Sequence, residues 1–308
     1  MKELPNGVWP TMVTPYTADN EIDFEALGKM VEWYIANQVD GLFAVCQSSE
    51  MFALSLEERV KLAAFVVERC DGRVPVIASG HISDRIEDQI EELQAISATG
   101  IDALVLITNR LADEHESDDV FKSNMEKLLE HIPVNIPLGL YECPAPYKRL
   151  MSPELLNWCT ETGRFYFLKD TSCNVEAIRA KLKAVSGTGL KIYNANTATL
   201  LESLKLGAAG YSGVMANFHP ELYVWLMKNY KEHPQKALQL SDQLSMTSLI
   251  EKQLYPVNAK YYLQLEQLLI NVTSRVKDAA LFTETNRSEV EQLYRLSKQW
   301  EGWVASGL

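Results

Sequence analysis

The sequence contains no apolar run that approaches the roughly 18 residues needed to cross a bilayer. Its first residues also lack the basic start and apolar segment of a secretory signal. These absences predict a cytoplasmic protein without a membrane partner. Positive charge is scarce too, because 29 Lys and Arg residues face 41 Asp and Glu residues, giving a formal net charge of −12. Such a chain repels a phosphate backbone, so nucleic acid is not an expected partner.

Cysteine and histidine are each represented by only five residues among 308. The cysteines are widely spaced and include no C-x-x-C pair, which argues against a disulfide framework and against a zinc site. The histidines show no ligand spacing, and no glycine-rich phosphate loop is present. We therefore expect reduced thiols, no bound metal and no cofactor.

Short apolar runs alternate with longer segments of helical periodicity, a pattern typical of βα units and a parallel sheet. Eight runs are candidate strands: 7–14, 41–45, 74–79, 103–107, 136–141, 165–169, 190–194 and 210–213. Helices are expected between them at 24–37, 56–69, 84–99, 118–131, 152–162, 175–185 and 197–206, with Ser55, Ser83 and Ser152 as start signals. Eight such units predict a TIM (β/α)8 barrel over residues 1–225.

After Pro220 the strand-like runs stop. Segments 223–230, 234–249, 257–271 and 288–304 all have helical patterns, which predicts a helical C-terminal extension over residues 226–308.

Lys169 ends the apolar run of the sixth candidate strand, where a barrel places its active-site groups. An ammonium group there loses water, which lowers the pKa of the amine and leaves more of it neutral and nucleophilic. These properties suit attack on a ketone carbonyl to form a Schiff base. Pairing with Asp170, or extension of the side chain into solvent, remains the alternative.

Tyr141 ends the preceding candidate strand, and adjacent parallel strands lie about 4.8 Å apart, so its phenol can reach the amine. A positioned tyrosine can transfer the protons that imine formation and carbon–carbon cleavage require. The alternative is a core aromatic residue. Ser48 and Ser49 follow the second candidate strand, where hydroxyl and backbone N–H groups can hold a substrate carboxylate.

These residues resemble the dihydrodipicolinate synthase and N-acetylneuraminate lyase family of class I aldolases. Similarity extends from the segment around Trp9–Pro15 to the segment around Asn217–Leu222. The most specific elements are Tyr141-x-x-Pro144 and the segment Phe167-Leu168-Lys169-Asp170-Thr171-Ser172, with Tyr141 and Lys169 28 positions apart. The resemblance implies that Lys169 forms the Schiff base, that Tyr141 is catalytic, and that Gln47, Ser48 and Ser49 bind the substrate carboxylate.

The sequence departs from the family pattern in several places, one of which is the segment Ile107–Arg110, which lacks a tyrosine that many synthases have. Gln47 stands where synthases have a hydroxyl residue of a proton relay, and Pro146 stands where they have the arginine that holds the aldehyde carboxylate. The segment around Asn194 lacks the acidic groups with which sialic-acid lyases hold sugar hydroxyls. Candidates for binding the distal part of another substrate are His81, Arg110, Lys148, Arg149 and Asn196.

The resemblance therefore implies a Schiff-base lyase acting on pyruvate or on a 2-oxo acid such as a 2-keto-3-deoxy sugar acid, assembled as a homotetramer or dimer. Dihydrodipicolinate synthase activity is not favoured, because of Pro146. Two alternatives remain open: a dehydratase or deaminase that uses the same lysine imine, and a non-catalytic relative that binds a 2-oxo acid.

Overall fold

The computed structural model describes residues 4–306 of the chain. Its eight strands are β1 (Gly7–Val8), β2 (Leu42–Val45), β3 (Val76–Ala78), β4 (Ala103–Ile107), β5 (Leu138–Tyr141), β6 (Phe165–Asp170), β7 (Lys191–Asn194) and β8 (Gly210–Tyr211). All neighbouring strands are parallel, in the order β1-β8-β7-β6-β5-β4-β3-β2. The Phe43 amide donates to the Pro10 carbonyl oxygen at 3.0 Å, and the Met12 amide donates to the Phe43 carbonyl oxygen at 3.1 Å. These bonds join the two ends of the sheet and confirm the predicted TIM barrel.

Helices connect the strands and cover the outside of the barrel. They are α1 (Phe24–Ala36), α2 (Leu56–Cys70), α3 (Ile86–Ser97), α4 (Asp118–Leu129), α5 (Pro153–Glu161), α6 (Val175–Ala184), α7 (Leu200–Lys205) and α8 (Pro220–Asn229). Ser55 and Ser152 cap α2 and α5 as the sequence predicts. The start expected after Ser83 is wrong, because Ser83 Oγ donates to Glu92 instead and α3 begins at Ile86.

Three further helices follow the barrel: α9 (Pro234–Thr247), α10 (Val257–Leu265) and α11 (Glu284–Ala305). A 3-10 turn, Ser248–Lys252, joins α9 to α10. Helix α11 packs against α8 and α10, so the C-terminal helices are attached to the barrel wall. The expected boundary between residues 225 and 226 falls within α8, and the division into barrel and extension stays a prediction.

Strand alternation decides which side chains face the barrel interior. Phe167 stacks on Tyr193 with ring centroids 4.3 Å apart and packs edge-on against Phe43 at 6.3 Å. This aromatic layer fills the barrel interior below Lys169, which lies two residues further along β6 on the same face. None of the described helices has the length and apolar character needed to span a membrane.

Candidate active site

Lys169 and Tyr141 lie side by side at the carboxyl ends of β6 and β5. The two residues are register partners in the sheet, and the Lys169 ammonium lies 4.5 Å from the centroid of the Tyr141 ring and 5.8 Å from that of Phe43. Their exposed fractions are only 4% and 3%. The structure thus brings together the two residues that the sequence singled out for chemistry.

The Lys169 ammonium has no carboxylate within ion-pair distance among residues 4–306. Asp170, the alternative partner, lies on the other face of β6 and pairs with Lys181 at 2.5 Å. Burial therefore lowers the pKa of Lys169 to about 8, although Cys46, Cys143 and Glu251 partly counteract it. The neutral, nucleophilic form of the amine is therefore far more populated at physiological pH than in a solvated lysine.

Tyr141 lies in a fully desolvated position beside a thiol. Burial raises the pKa of its phenol well above the ordinary value, and a hydrogen bond to Cys143 adds to that increase. The Cys143 thiol in turn lies 3.5 Å from Gln47 Oε1. The phenol is therefore protonated at neutral pH and can act first as a proton donor.

The loop after β2 forms a 3-10 turn, Gln47–Ser49, that presents some of its side chains to the same cavity. Ser48 and Gln47 line the cavity beside Lys169, and Ser48 Oγ donates to Thr11 Oγ1 at 3.1 Å. The Ser49 hydroxyl is turned into the loop, where it donates to the Cys46 carbonyl oxygen at 2.7 Å and accepts from the Cys46 amide at 2.8 Å. Ser48 and Gln47 are thus placed for substrate contact, whereas Ser49 shapes the turn.

A cavity of about 580 Å³ opens above Lys169 and Tyr141. Its wall includes residues that sequence reasoning missed, because they come from the segment after α9. These are Glu251, Lys252, Tyr255, Pro256, Val276 and Lys277. A depression of about 740 Å³ between α1 and α2 is larger, but it is lined by surface charges such as Glu32, Arg69 and Arg73 and does not include Lys169.

The five residues considered for the distal part of the substrate do not line this cavity. Arg149 donates to the backbone of Asp113 and Glu116, and Arg110 pairs with Asp84 at 2.5 Å. Lys148 donates to the Thr171 carbonyl oxygen at 2.8 Å.

The remaining two have structural contacts. His81 is fully buried, accepting from the Ile107 amide at 2.5 Å, and burial lowers the pKa of its imidazole to about 4. Asn196 caps the short turn after β7 by accepting from the Thr199 amide at 3.1 Å.

A buried charge cluster lies directly behind the two catalytic candidates. Glu142 follows Tyr141, Asp170 follows Lys169, and both carboxylates contact the Lys181 ammonium, which projects from α6. Glu142 also accepts from the Met151 amide at 2.8 Å and from the Thr171 amide at 2.9 Å. The cluster therefore ties the ends of β5 and β6 to the helix behind them.

A second buried pair fixes the C-terminal segment over the cavity. Glu50, the last residue of the β2 loop, pairs with Lys260 at 2.8 Å. It also accepts from Ser274 Oγ at 2.8 Å and from the Arg275 amide at 2.6 Å. Since Glu50 is almost completely buried, these bonds hold residues 274–276 against the mouth of the barrel.

Known proteins share this architecture. The model of the dihydrodipicolinate synthetase family matches residues 4–295, nearly the whole chain. The chain belongs to this family. As a member of the dihydrodipicolinate synthetase family it is an aldolase-type lyase, which confirms the resemblance and the enzyme class inferred from the sequence.

Individual relatives give the same result. The chain is 28% identical to 4-hydroxy-tetrahydrodipicolinate synthase 1 of Clostridium acetobutylicum over 261 residues, covering 82% of this chain and 85% of the relative. It is 30% identical to the 4-hydroxy-tetrahydrodipicolinate synthase of Acidithiobacillus ferrooxidans over 217 residues, covering 70% and 72%. A solved structure of a prophage protein of the same family from E. coli K12, in complex with pyruvate, aligns with a TM-score of 0.85 at 23% identity, covering 95% of this chain and 98% of that one.

Proposed function

We propose that the protein is a Schiff-base lyase that interconverts a 4-hydroxy-2-oxo acid with pyruvate and an aldehyde. The observation that carries this proposal is a buried lysine, Lys169, that has no carboxylate partner among the described residues and lies beside Tyr141 in a cavity of substrate size. A buried ammonium without a counter-charge costs stability, so its presence there suits a reactive amine.

The reaction begins when the neutral amine of Lys169 attacks the C2 carbonyl carbon. Tyr141 donates a proton to the carbinolamine oxygen, which leaves as water and gives the protonated imine. The phenolate then removes the proton from the C4 hydroxyl, the C3–C4 bond breaks, and its electron pair moves toward the imine nitrogen. The aldehyde departs, Tyr141 returns the proton taken from the C4 hydroxyl to C3 of the enamine, and water hydrolyses the resulting imine to release pyruvate from Lys169.

The turn Gln47–Ser49 binds the substrate carboxylate in this proposal. Ser48 lines the cavity beside Lys169 and supplies a hydroxyl group there. The hydroxyl of Ser49 is committed to Cys46 and contributes by holding the turn in shape. The proposed site thus needs no metal ion and no cofactor.

The test is reduction with borohydride in the presence of pyruvate, followed by mass spectrometry of the intact protein and its peptides. We expect one adduct per chain, on Lys169, and none in Lys169→Ala. Lys252→Ala is the matched control, because Lys252 lines the same cavity and is exposed. Equal labelling of wild type and Lys169→Ala would overturn the proposed mechanism.

The preferred substrate that we propose is a 2-keto-3-deoxy sugar acid. The names of the curated relatives favour dihydrodipicolinate synthesis instead, and Pro146 is the observation against it. A lost guanidinium–carboxylate pair typically costs about 2 to 5 kcal/mol, or roughly thirtyfold to several-thousandfold in rate. Arg149 cannot replace it without giving up its contacts with Asp113, Glu116 and Asp118.

Steady-state kinetics with aspartate semialdehyde and a panel of 2-keto-3-deoxy sugar acids test this preference. If aspartate semialdehyde gave the highest kcat/KM of the panel, the substrate proposal would be wrong, but the proposed mechanism would still hold. Product analysis separates cleavage, which releases an aldehyde, from dehydration or deamination by the same imine.

The proposal also includes the cellular setting. We propose a cytoplasmic homotetramer or dimer, and sedimentation of the purified chain checks the assembly.

A further inference from the structure

The 3-10 turn Ser248–Lys252 lies across the mouth of the barrel and is firmly held there. Asn258, which is fully buried, donates from its side chain to the Ile250 carbonyl oxygen at 2.8 Å, and the Gln253 amide donates to the same oxygen at 3.0 Å. The turn therefore presents its side chains in a fixed position. Glu251 and Lys252 are the residues of this turn that line the cavity together with Lys169 and Tyr141.

The Glu251 carboxylate makes no hydrogen bond or ion pair to any residue between 4 and 306. The other acidic residue of the cavity wall, Glu50, is fully committed to Lys260 and to residues 274–276. Burial raises the pKa of Glu251, whereas Lys252 and Lys169 counteract that shift. Glu251 is thus an acceptor that faces the reacting lysine and lacks a partner from the described part of the chain.

Position within the cavity decides which part of a substrate meets this carboxylate. In the proposed binding mode the carboxylate end of a 2-oxo acid lies at the Gln47–Ser49 turn and its C2 atom at Lys169, so the remaining carbons occupy the rest of the cavity. The wall of that cavity includes Glu251. A carboxylate accepts hydrogen bonds from hydroxyl groups and repels a second carboxylate.

We propose that Glu251 accepts a hydrogen bond from a hydroxyl group of the aldehyde part of the substrate, and so selects hydroxylated, uncharged aldehydes over aldehydes that carry a carboxylate. This inference rests on the proposed function, since it assumes that pyruvate is bound to Lys169. Lys252 and Lys277 also border the cavity, but both are exposed, and their charges are screened by water and salt.

The proposal is tested by measuring the addition of pyruvate to three aldehydes. Glyceraldehyde carries hydroxyl groups, propanal carries no polar group besides the aldehyde, and succinic semialdehyde carries a carboxylate. In Glu251→Leu we expect kcat/KM for glyceraldehyde to fall about 10- to 100-fold, the range for loss of a hydrogen bond to a charged group. The value for propanal should fall much less, because propanal has no hydroxyl group to bind. Glu251→Gln should retain much of the glyceraldehyde rate and raise the rate with succinic semialdehyde.

Glu130→Gln is the matched control, because it removes the same charge from an exposed position at the end of α4. Borohydride trapping of pyruvate, carried to completion, accompanies every variant, and its final extent should be equal in all of them. Equal losses for glyceraldehyde and propanal in Glu251→Leu, or a wild-type preference for succinic semialdehyde, would overturn the role of Glu251. Absence of trapping in the wild type would instead overturn the proposed function itself.

Discussion

Lys169 and Lys181 are two buried lysines of this barrel with nearly equal exposure, 4% and 3%, and opposite environments. Lys169 faces the cavity, contacts aromatic rings and has no described carboxylate partner. Lys181 lies behind β5 and β6, between Glu142 and Asp170.

The pKa values of the two lysines diverge accordingly. Burial lowers the pKa of Lys169 to about 8. Burial also acts to lower the pKa of Lys181, but its two carboxylate partners outweigh that effect and hold the pKa above its ordinary value. Burial alone therefore does not make a lysine reactive, because the partner decides whether the buried amine is neutral or charged.

Replacement of each lysine by methionine should separate these roles most clearly. We expect Lys169→Met to lose about 10⁴- to 10⁶-fold in turnover, the scale that removal of a catalytic nucleophile reaches. Its thermal stability should equal or exceed that of the wild type, since an uncompensated buried charge is removed. Calorimetry beside kinetics checks both parts, and a marked loss of stability would mean that Lys169 is structural.

Tyr141→Phe should keep the fold and reduce kcat by roughly 10²- to 10⁴-fold, as lost acid–base catalysis typically does. The ring and its packing against Phe43 at 5.7 Å remain, so only the phenolic hydroxyl group is removed. If this variant turned over substrate at the wild-type rate, Tyr141 would have only a structural role. Circular dichroism serves as the control for folding.

Lys181→Met should show the reverse of Lys169→Met. It leaves two buried carboxylates without their cation, and breaking a buried pair in this way typically costs about 3 to 5 kcal/mol of unfolding free energy. Chemical denaturation measures this loss. Lys205→Met is the control, because the Lys205–Glu202 pair is exposed and should contribute little. Equal stability of the two variants would contradict the role of the cluster.

The pH dependence gives the smallest effect. Only the neutral amine attacks a carbonyl, so an amine with a pKa of about 8 is roughly one-tenth neutral at pH 7. The rate of imine formation with pyruvate should rise about tenfold per pH unit below pH 7 and level off above about pH 9. Rapid quenching into borohydride measures this rate. A midpoint near 10 would mean that Lys169 is solvated like an ordinary surface lysine.

Much of the fold and the proximity of Tyr141 to Lys169 could be predicted, because both depend on local sequence patterns. Apolar runs mark the strands, and the last residues of two neighbouring runs, Tyr141 and Lys169, must lie close together in a parallel sheet. Strand alternation also contains a signal that the sequence interpretation did not use. Adjacent residues of a strand point to opposite faces, so Asp170 cannot share a face with Lys169.

The rest of the site depends on tertiary placement. Helical periodicity located the segments after α8, but it does not say which of their residues reach the barrel mouth, so Glu251 and Tyr255 were missed. The direction of each hydroxyl in the Gln47–Ser49 turn likewise depends on one 3-10 turn, which periodicity does not reveal. The side chains of Arg110 and Arg149 bind acidic and carbonyl groups on neighbouring loops and therefore do not reach the cavity.

The bonds of Glu50 to residues 274–276 have a consequence for how this enzyme can diverge. These bonds attach residues 274–276, of which Val276 lines the cavity, to the loop that follows β2. Under the proposed function, substitutions at Glu251, Lys252 or Lys277 are expected to alter which aldehyde is accepted while Lys169 and Tyr141 keep their positions. Part of the proposed substrate selection then lies on a different part of the chain from the strands that carry Lys169 and Tyr141.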